Sequence, residues 1–378
     1  MILIKFVPLM FGWVFVLLAV SGSKAMAQER DLGKTQVSGV IMLDYALMDG
    51  VNRDSETNST EFNSQVRKAR VDIKHQLNKD WSAKLQLSFN EEDSSSEVGD
   101  AYIRYRGFNQ ALVTMGQFKE PFGLENMTSS KNITFLERSM VTHALSAGKN
   151  QGVMLSGSPS DVTWAFSVME VEHENKEAAP FAMGGRLTWA PINDQQLLVH
   201  LGGSASLREL DGEVFEIDER IEVHGSEKII ESGEIEVDQM HLSALELAIV
   251  KGAFSFQTEV LSTNIQAVDA SNDVTFDGYY MQAGLFLTED KKRYKKGVFT
   301  GVRPSSQEGA WQITARYSEL NTREVSEGNK VYTTTLGLNY YYDENLRLTT
   351  NYLHNELSEE VHGSKSGNAV AFRAQYVF

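Results

Sequence analysis

The chain has 378 residues, with 35 lysine and arginine residues against 51 aspartate and glutamate residues, a formal net charge of −16 and no cysteine. This acidity argues against a nucleic-acid-binding protein, which would carry a net basic footprint. The absence of cysteine excludes a disulfide framework, so other interactions must hold the fold together.

The N-terminal segment predicts export. Lys5 precedes an apolar run from Phe6 to Val20, and the small-x-small pattern Ala25-Met26-Ala27 follows. This arrangement is typical of a secretory signal peptide over residues 1–27, which leaves a mature domain at 28–378. An uncleaved anchor helix is the alternative, but the run is shorter than the ~20 residues that a membrane-spanning helix needs.

The rest of the chain alternates apolar and polar residues over short segments. Sixteen such segments occupy residues 35–48, 64–77, 80–91, 97–107, 110–118, 151–158, 162–171, 181–190, 195–208, 239–250, 252–264, 275–289, 309–320, 331–342, 345–356 and 368–378. Each is about as long as the ~9–11 residues of a tilted membrane strand. The pattern predicts an all-β fold, a transmembrane antiparallel β-barrel of about 16 strands, closed because lipid leaves no partner for a sheet edge.

The links between these segments alternate in length. One set is mostly tight, and the other is mostly long, at 49–63, 119–150, 172–180, 209–238, 265–274, 321–330 and 357–367. Short periplasmic turns and long exterior loops are the pattern of an outer-membrane barrel. The exception is a long basic link at 290–308 on the side of the short turns.

Strand periodicity assigns charged side chains to the lumen, because a cation that faces lipid at mid-bilayer costs ~2–4 kcal/mol. The predicted inward cations are Lys68, Arg70, Lys74, Lys84, Arg104, Arg106, Arg186, Arg208, Arg316, Arg347 and Arg373. The predicted inward acids are Asp44, Asp72, Asp100, Glu246 and Glu259. A basic lumen is therefore expected, with the acids concentrated in the link 209–238, which holds twelve of them.

The link 119–150 is unusually long and charged. Its apolar residues, among them Phe122 and Phe135, allow it to fold inward and pack on the wall, although a surface loop with buried anchors explains the composition equally well. If it folds inward, its cations narrow the pore and line it. Those candidate pore-lining cations are Lys119, Lys131, Arg138 and Lys149.

Five segments also carry a family resemblance. They read DAYIRYRGF at 100–108, GQFKEPFGLENMTSSKNITFLERS at 116–139, GKNQGV at 148–153, LFLTEDKKRYKKGVF at 285–299 and GAWQITARYSEL at 309–320. They resemble the phosphate-selective porin O and P family. The likeness runs from about Val66 to Phe378 and is weakest across 171–275.

The resemblance implies a homotrimer of sixteen-stranded barrels with an inward third loop and an inward basic turn at 290–304. It also implies passage of phosphate or polyphosphate along a ladder of basic side chains, with Lys119 and Arg138 as the third-loop cations. The acidic link 209–238 departs from this pattern, because an acidic mouth repels phosphate at low salt.

No catalytic, metal or cofactor site is expected. No two of the eight histidines are three to five residues apart, and there is no Gly-x-Ser-x-Gly motif. The expected function is passive diffusion through a porin of the Gram-negative outer membrane, favouring small anions. The alternatives are a weakly selective or cation-favouring porin, a structural or adhesive barrel, and a barrel phospholipase.

The expected partners follow from this location and from the last strand. The chain ends AVAFRAQYVF, an alternating strand with a terminal aromatic residue, which is typical of barrels that the outer-membrane assembly machinery inserts. Phe378 is the expected contact with that machinery. Outer-membrane lipid and lipopolysaccharide are the other expected partners, and no nucleic acid is expected.

Overall fold

The computed structural model describes residues 33–50, 60–89, 96–171, 180–323, 328–359 and 363–378. The predicted signal peptide at 1–27 lies outside the described residues. Among those described, no helix is both long and apolar enough to cross a membrane.

Twenty strands are present in the described residues. In chain order they are β1 (Thr35–Asp49), β2 (Glu61–Gln76), β3 (Trp81–Phe89), β4 (Ser96–Tyr105), β5 (Leu112–Lys119), β6 (Lys149–Gly157), β7 (Val162–Glu170), β8 (Phe181–Asn193), β9 (Leu197–Phe215), β10 (Asp218–Arg220), β11 (Lys228–Glu231), β12 (Ile235–Lys251), β13 (Phe254–Ala267), β14 (Val274–Phe286), β15 (Arg293–Lys295), β16 (Val298–Thr300), β17 (Ala310–Asn321), β18 (Asn329–Tyr341), β19 (Leu346–Glu359) and β20 (Gly363–Val377). The helical elements are α1 (Leu124–Met127), α2 (Met140–Leu145) and two 3-10 turns, Ser130–Asn132 and Ala270–Asn272.

Sixteen of these strands form one closed antiparallel barrel, which confirms the predicted fold class. The order follows the chain, β1 to β9, then β12, β13, β14 and β17 to β20, and β20 pairs with β1 to close the sheet. The remaining strands form two small hairpins, β10–β11 and β15–β16, in the long links.

The two faces of the wall differ as the strand period of two predicts. On the outer face, apolar side chains such as Leu245 and Leu336 are 70% and 54% exposed. Their neighbours in sequence point inward and are buried; along β12 exposed and buried residues alternate for most of the strand. A wall of this kind is suited to lipid outside and polar groups inside.

Two long links fill part of the interior. Loop 3 is defined as residues 120–148 and loop 5 as residues 216–234. They share one hydrophobic cluster, in which Met140 and Val141 of loop 3 meet Ile221 and Ile230 of loop 5. The inward side chains of β1, β9, β12, β13, β14 and β17 to β20 complete this cluster, so the barrel is packed on that side.

The acidic link 209–238 is shorter and more buried than the sequence predicts. The strands β9 and β12 extend to Phe215 and from Ile235, so the loop itself is only residues 216–234. One of its acids, Glu222, is buried at 1% exposure rather than lying at the wet exterior. The physical reason is that its isoleucines insert into the apolar cluster and draw the chain inward.

Candidate functional site

An interior cavity of about 590 Å³ lies between loop 3 and the wall formed by β2 to β5. Ten basic residues line it: Arg67, Lys68, Arg70, Lys74, Lys84, Arg104, Lys119, Lys131, Arg138 and Lys149. Three acidic residues line it as well: Asp72, Glu97 and Asp100. The open part of the lumen is therefore strongly basic in a chain whose net charge is −16.

Eight of the twelve pore-lining residues expected from the sequence lie along this cavity: Lys68, Arg70, Lys74, Arg104, Lys119, Lys131, Arg138 and Lys149. The other four, Arg106, Arg186, Arg316 and Arg373, lie elsewhere. Arg106 follows β4 and is exposed, where it donates a 3.3 Å hydrogen bond to Ser82.

The other three of these arginines, Arg186, Arg316 and Arg373, are buried in ion pairs. Arg186 binds Glu246 through two contacts of 2.8 and 2.6 Å, and Arg373 binds Asp44 through two contacts of 2.6 Å. Arg316 binds Glu222 of loop 5. A buried cation is tolerated when it is paired in this way. Arg186 also donates to the carbonyl of Gly297 in the link 290–308 at 2.8 Å, and Arg373 also contacts Glu137 of loop 3 at 2.6 Å. All three side chains thus join the wall to inserted segments.

The second strand places one more cation in the cavity than periodicity predicts. Lys68 pairs with Met42 and Val66 pairs with Leu43, so Arg67 is an extra residue in a β-bulge. Its side chain forms a 2.9 Å ion pair with Glu137 of loop 3. A strict period of two assigns Arg67 to the lipid face, and no feature of the sequence marks the bulge.

Three further cations of the cavity wall are paired with carboxylates. Lys84 contacts Asp100 at 2.5 Å and Asp72 at 3.1 Å, and Lys149 contacts Asp100 at 2.9 Å. Arg70 contacts Asp72 at 3.1 Å. Two carboxylates thus neutralise only part of the charge of three cations.

Lys119 and Arg138 of loop 3 form no ion pair with a carboxylate among the residues that the structure describes. Lys119, at the end of β5, donates to the carbonyl and side-chain oxygens of Asn126 at 2.9 and 2.8 Å. Arg138 donates to the carbonyls of Glu125 and Thr128 at 3.1 and 2.8 Å. These hydrogen bonds fix both side chains to the turn around α1, and their acceptors are neutral oxygens that leave the positive charge in place.

Lys131 is the most available of the loop 3 cations. Its ammonium group makes no hydrogen bond or ion pair within the part of the chain that the structure describes. Burial lowers the pKa of Lys131, and the neighbouring charge of Arg70 lowers it further. A cation crowded by other cations in this way is poised to gain from an anion beside it.

Loop 3 rests against inward-facing side chains on the packed side of the barrel. Arg347 donates to the carbonyl of Ile133 at 2.7 Å, and Arg316 donates to the carbonyl of Glu137 at 3.0 Å. Further donors to loop 3 carbonyls are Asn339, Arg373 and Gln375. The polar lumen wall thus satisfies a loop backbone that would otherwise be left without partners.

The basic link 290–308 also contacts the interior. Lys292 donates a 2.8 Å hydrogen bond to Thr134 of loop 3, and its ammonium lies 4.1 Å from the ring centre of Phe299. Burial lowers the pKa of Lys292 to about 7. The neighbouring cations Lys291, Arg293, Lys295 and Lys296 are exposed.

No group of three or more histidine, cysteine, aspartate or glutamate residues suited to a metal occurs among the described residues. The cavity lining supplies guanidinium and ammonium donors. Such groups replace part of an anion's hydration by charge-assisted hydrogen bonds.

Comparisons with known proteins agree with this geometry. The family model described as phosphate-selective porin O and P matches residues 36–378. Porin O of Pseudomonas aeruginosa is 26% identical over 91% of this chain and 88% of that protein. An uncharacterized protein of Caulobacter vibrioides is 27% identical over 71% of this chain and 58% of that protein.

Solved structures share the fold. The anion-selective porin from Comamonas acidovorans superposes with a TM-score of 0.59 at 10% identity, covering 92% of this chain and 100% of that one. OmpT of Vibrio cholerae in its trimer form superposes with a TM-score of 0.57 at 11% identity, covering 92% of this chain and 100% of that one. At these identities the structures establish the barrel fold alone.

Proposed function

Because this chain belongs to the phosphate-selective porin O and P family, we propose that its basic cavity is the conducting path of a passive diffusion channel that favours anions. The protein resides in the outer membrane of a Gram-negative bacterium, as the family and the barrel fold establish. Members of this family are channels rather than enzymes.

The observation that carries the proposal is the charge of the cavity. Among its ten basic side chains, six have no carboxylate partner among the described residues: Lys68, Lys74, Arg104, Lys119, Lys131 and Arg138. These uncompensated cations attract anions and repel other cations. The low-dielectric wall around them focuses their field on the open space.

Conduction requires that binding stay weak and distributed. An anion that enters exchanges part of its hydration shell for hydrogen bonds from several lysine and arginine groups, each replaceable by the next. Cations that are pinned in place, such as Lys119, keep their position while an anion moves past. Cations without protein partners, such as Lys131, adjust to it.

Phosphate and polyphosphate are the solutes that we propose, in line with the family's description. A phosphate group offers several oxygens to several donors at once, which suits a wall with many separated cations. We further propose a homotrimer, because the related fold of OmpT of Vibrio cholerae occurs in a trimer form.

Planar-bilayer electrophysiology tests the proposed selectivity. The reversal potential of the full-length protein in a KCl gradient should show that chloride is more permeant than potassium. Phosphate added to both sides should reduce the chloride current, because it competes for the same cations. A reversal potential of the opposite sign would show that the exposed acids of 209–238 dominate, and would establish a cation-favouring porin instead.

A further inference from the structure

A buried carboxylate on the packed side of the barrel contacts the first turn of loop 3. Glu259 of β13 is 1% exposed and points inward. Its two oxygens accept the backbone N–H groups of Leu124 and Glu125 at 2.5 and 2.8 Å. The hydroxyl of Tyr280 donates to the same carboxylate. The carboxylate thus satisfies N–H groups that begin α1 and that have no partner within so short a helix.

The opposite side of the same turn faces the cavity. Asn126 presents both of its oxygens to Lys119 and donates its amide to the carbonyl of Ala147 at 2.9 Å. The carbonyls of Glu125 and Thr128 hold Arg138. Lys119, Asn126 and Arg138 all line the cavity, whereas Glu259 does not.

We propose that Glu259 is a positioning residue for the anion path, acting through α1 on Lys119 and Arg138. This inference rests on the proposed function. Glu259 fixes the N–H side of one helical turn, and the carbonyl side of that turn fixes the two cations. A shift of the turn would therefore move both cations together, although neither touches Glu259.

A positioning role and a purely electrostatic role of Glu259 predict opposite changes in the preference for anions. Replacing a carboxylate inside a channel by a neutral group strengthens the preference for anions, if charge alone acts through space. Releasing the turn instead lets Lys119 and Arg138 spread, which weakens anion binding. The sign of the change therefore separates positioning from charge.

The test is Glu259→Gln in the full-length protein, recorded in planar bilayers one channel at a time. A glutamine keeps one acceptor oxygen but turns its NH₂ toward a backbone N–H, so one of the two contacts is lost. We expect a two- to tenfold rise in the KCl concentration that half-saturates the conductance, together with a reversal potential less favourable to chloride. Unchanged values, or a stronger anion preference, would overturn the proposal.

A double-mutant cycle with Lys119→Met tests the connection. If Glu259 acts through Lys119 and Arg138, Glu259→Gln has a clearly smaller effect in the Lys119→Met background than in the natural one. Full additivity of the two changes would contradict the proposal. Because only folded channels conduct, a loss of stability alone lowers the number of channels and leaves these unitary properties unchanged.

Glu246→Gln is the matched control, since Glu246 is another buried inward carboxylate but binds Arg186 and His200 instead of loop 3. We expect its half-saturation not to rise above that of the natural protein, because this change removes a carboxylate without releasing α1. If Glu259→Gln yields no channels, Tyr280→Phe is the second test, because it removes one hydrogen-bond donor to Glu259. A smaller rise in the half-saturating KCl concentration supports the proposal. An unchanged concentration overturns it. Failure of the proposed function itself would differ: the natural channel would not prefer chloride, and Lys119→Met would change nothing.

Discussion

The cations of the cavity fall into groups that differ in what holds them. Lys84 and Lys149 are fixed by Asp100, and Lys119 is fixed by Asn126. Replacing Lys84, Lys149 or Lys119 by a residue of different charge changes the charge of the cavity and also breaks a contact of the wall or of loop 3. Lys131 has no such contact among the described residues. It therefore offers the cleanest change of charge in the cavity.

We predict that Lys131→Glu lowers the ratio of chloride to potassium permeability several-fold with little loss of folded protein. Two units of charge at ~10 Å from a monovalent ion are worth about 3 kcal/mol at an effective dielectric constant of 20, before screening by salt. The reversal potential measures the ratio, and the resistance of the folded band to SDS measures folding. Lys295→Glu is the control, because Lys295 is exposed in β15 and does not line the cavity; an equal change in that variant would contradict the assignment.

The sequence predicted the direction of many inward side chains because the period of two follows from the pleat of a strand. Lys68, Arg70 and Arg104 were placed inward by this rule, and the structure places them along the cavity. The rule does not show which inward cations are neutralised. Arg316 of β17 is paired with Glu222, which lies in the loop that follows β9. Pairs between residues so far apart in the chain depend on how the loops fold.

At the scale of elements, a buried ion pair joins loop 5 to the wall, in addition to the apolar cluster in which the loop takes part. Glu222 binds Arg316 and also accepts hydrogen bonds from the hydroxyls of Ser318 and Thr335. Burial raises the pKa of Glu222, although Arg316 acts in the opposite direction. The two partners thus differ in how they respond to the loss of the other. An arginine cannot give up its proton, whereas a buried carboxylate can take one.

We predict that Glu222→Gln destabilises the barrel by up to about 3–5 kcal/mol, because it removes the closest carboxylate of the buried Arg316 and leaves it only Glu125, at 3.5 Å. Arg316→Met should destabilise it less at acidic pH, where Glu222 becomes neutral. Since the folded-state pKa of Glu222 lies above its unfolded value, that protection is complete below the unfolded pKa and is lost as pH rises through the folded one. Thermal unfolding of the two variants at several pH values measures the difference.

The control for loop 5 is Glu216→Gln, since Glu216 is an exposed acid of the same loop. Its effect on stability should stay within about 0.5 kcal/mol, as is usual for surface changes. If Glu222→Gln were equally mild, the ion pair with Arg316 would not attach the loop. An Arg316→Met variant whose stability rose with pH would contradict the proton uptake by Glu222.

At the scale of the whole molecule, the barrel interior is divided unequally. Loops 3 and 5 pack on the side of β1, β9, β12 to β14 and β17 to β20, and the cavity remains on the side of β2 to β5. Strand number and topology followed from short-range alternation and from the rule that lipid tolerates no sheet edge. The division could not be predicted in this way, because it depends on contacts between segments far apart in the chain, such as the hydrogen bond from the backbone N–H of Met140 to Glu222 at 3.2 Å.

The end of the chain closes the barrel, and this position makes a last prediction possible. Phe378 exchanges two backbone hydrogen bonds with Gly39, of 2.8 and 3.2 Å, and its ring stacks on Tyr376 at 6.3 Å between centres. Deleting Phe378 removes two bonds, each worth about 0.5–1.5 kcal/mol net, from a sheet that retains all its other pairings. The folded barrel should therefore lose only a few degrees of thermal stability.

We propose that the assembly machinery recognises this terminal aromatic residue, so the yield of folded protein in outer membranes should fall much more than stability does. Phe378→Ala keeps the two backbone bonds and should show the same fall in yield, whereas a yield that merely tracked the thermal stability of each variant would assign Phe378 to barrel closure alone.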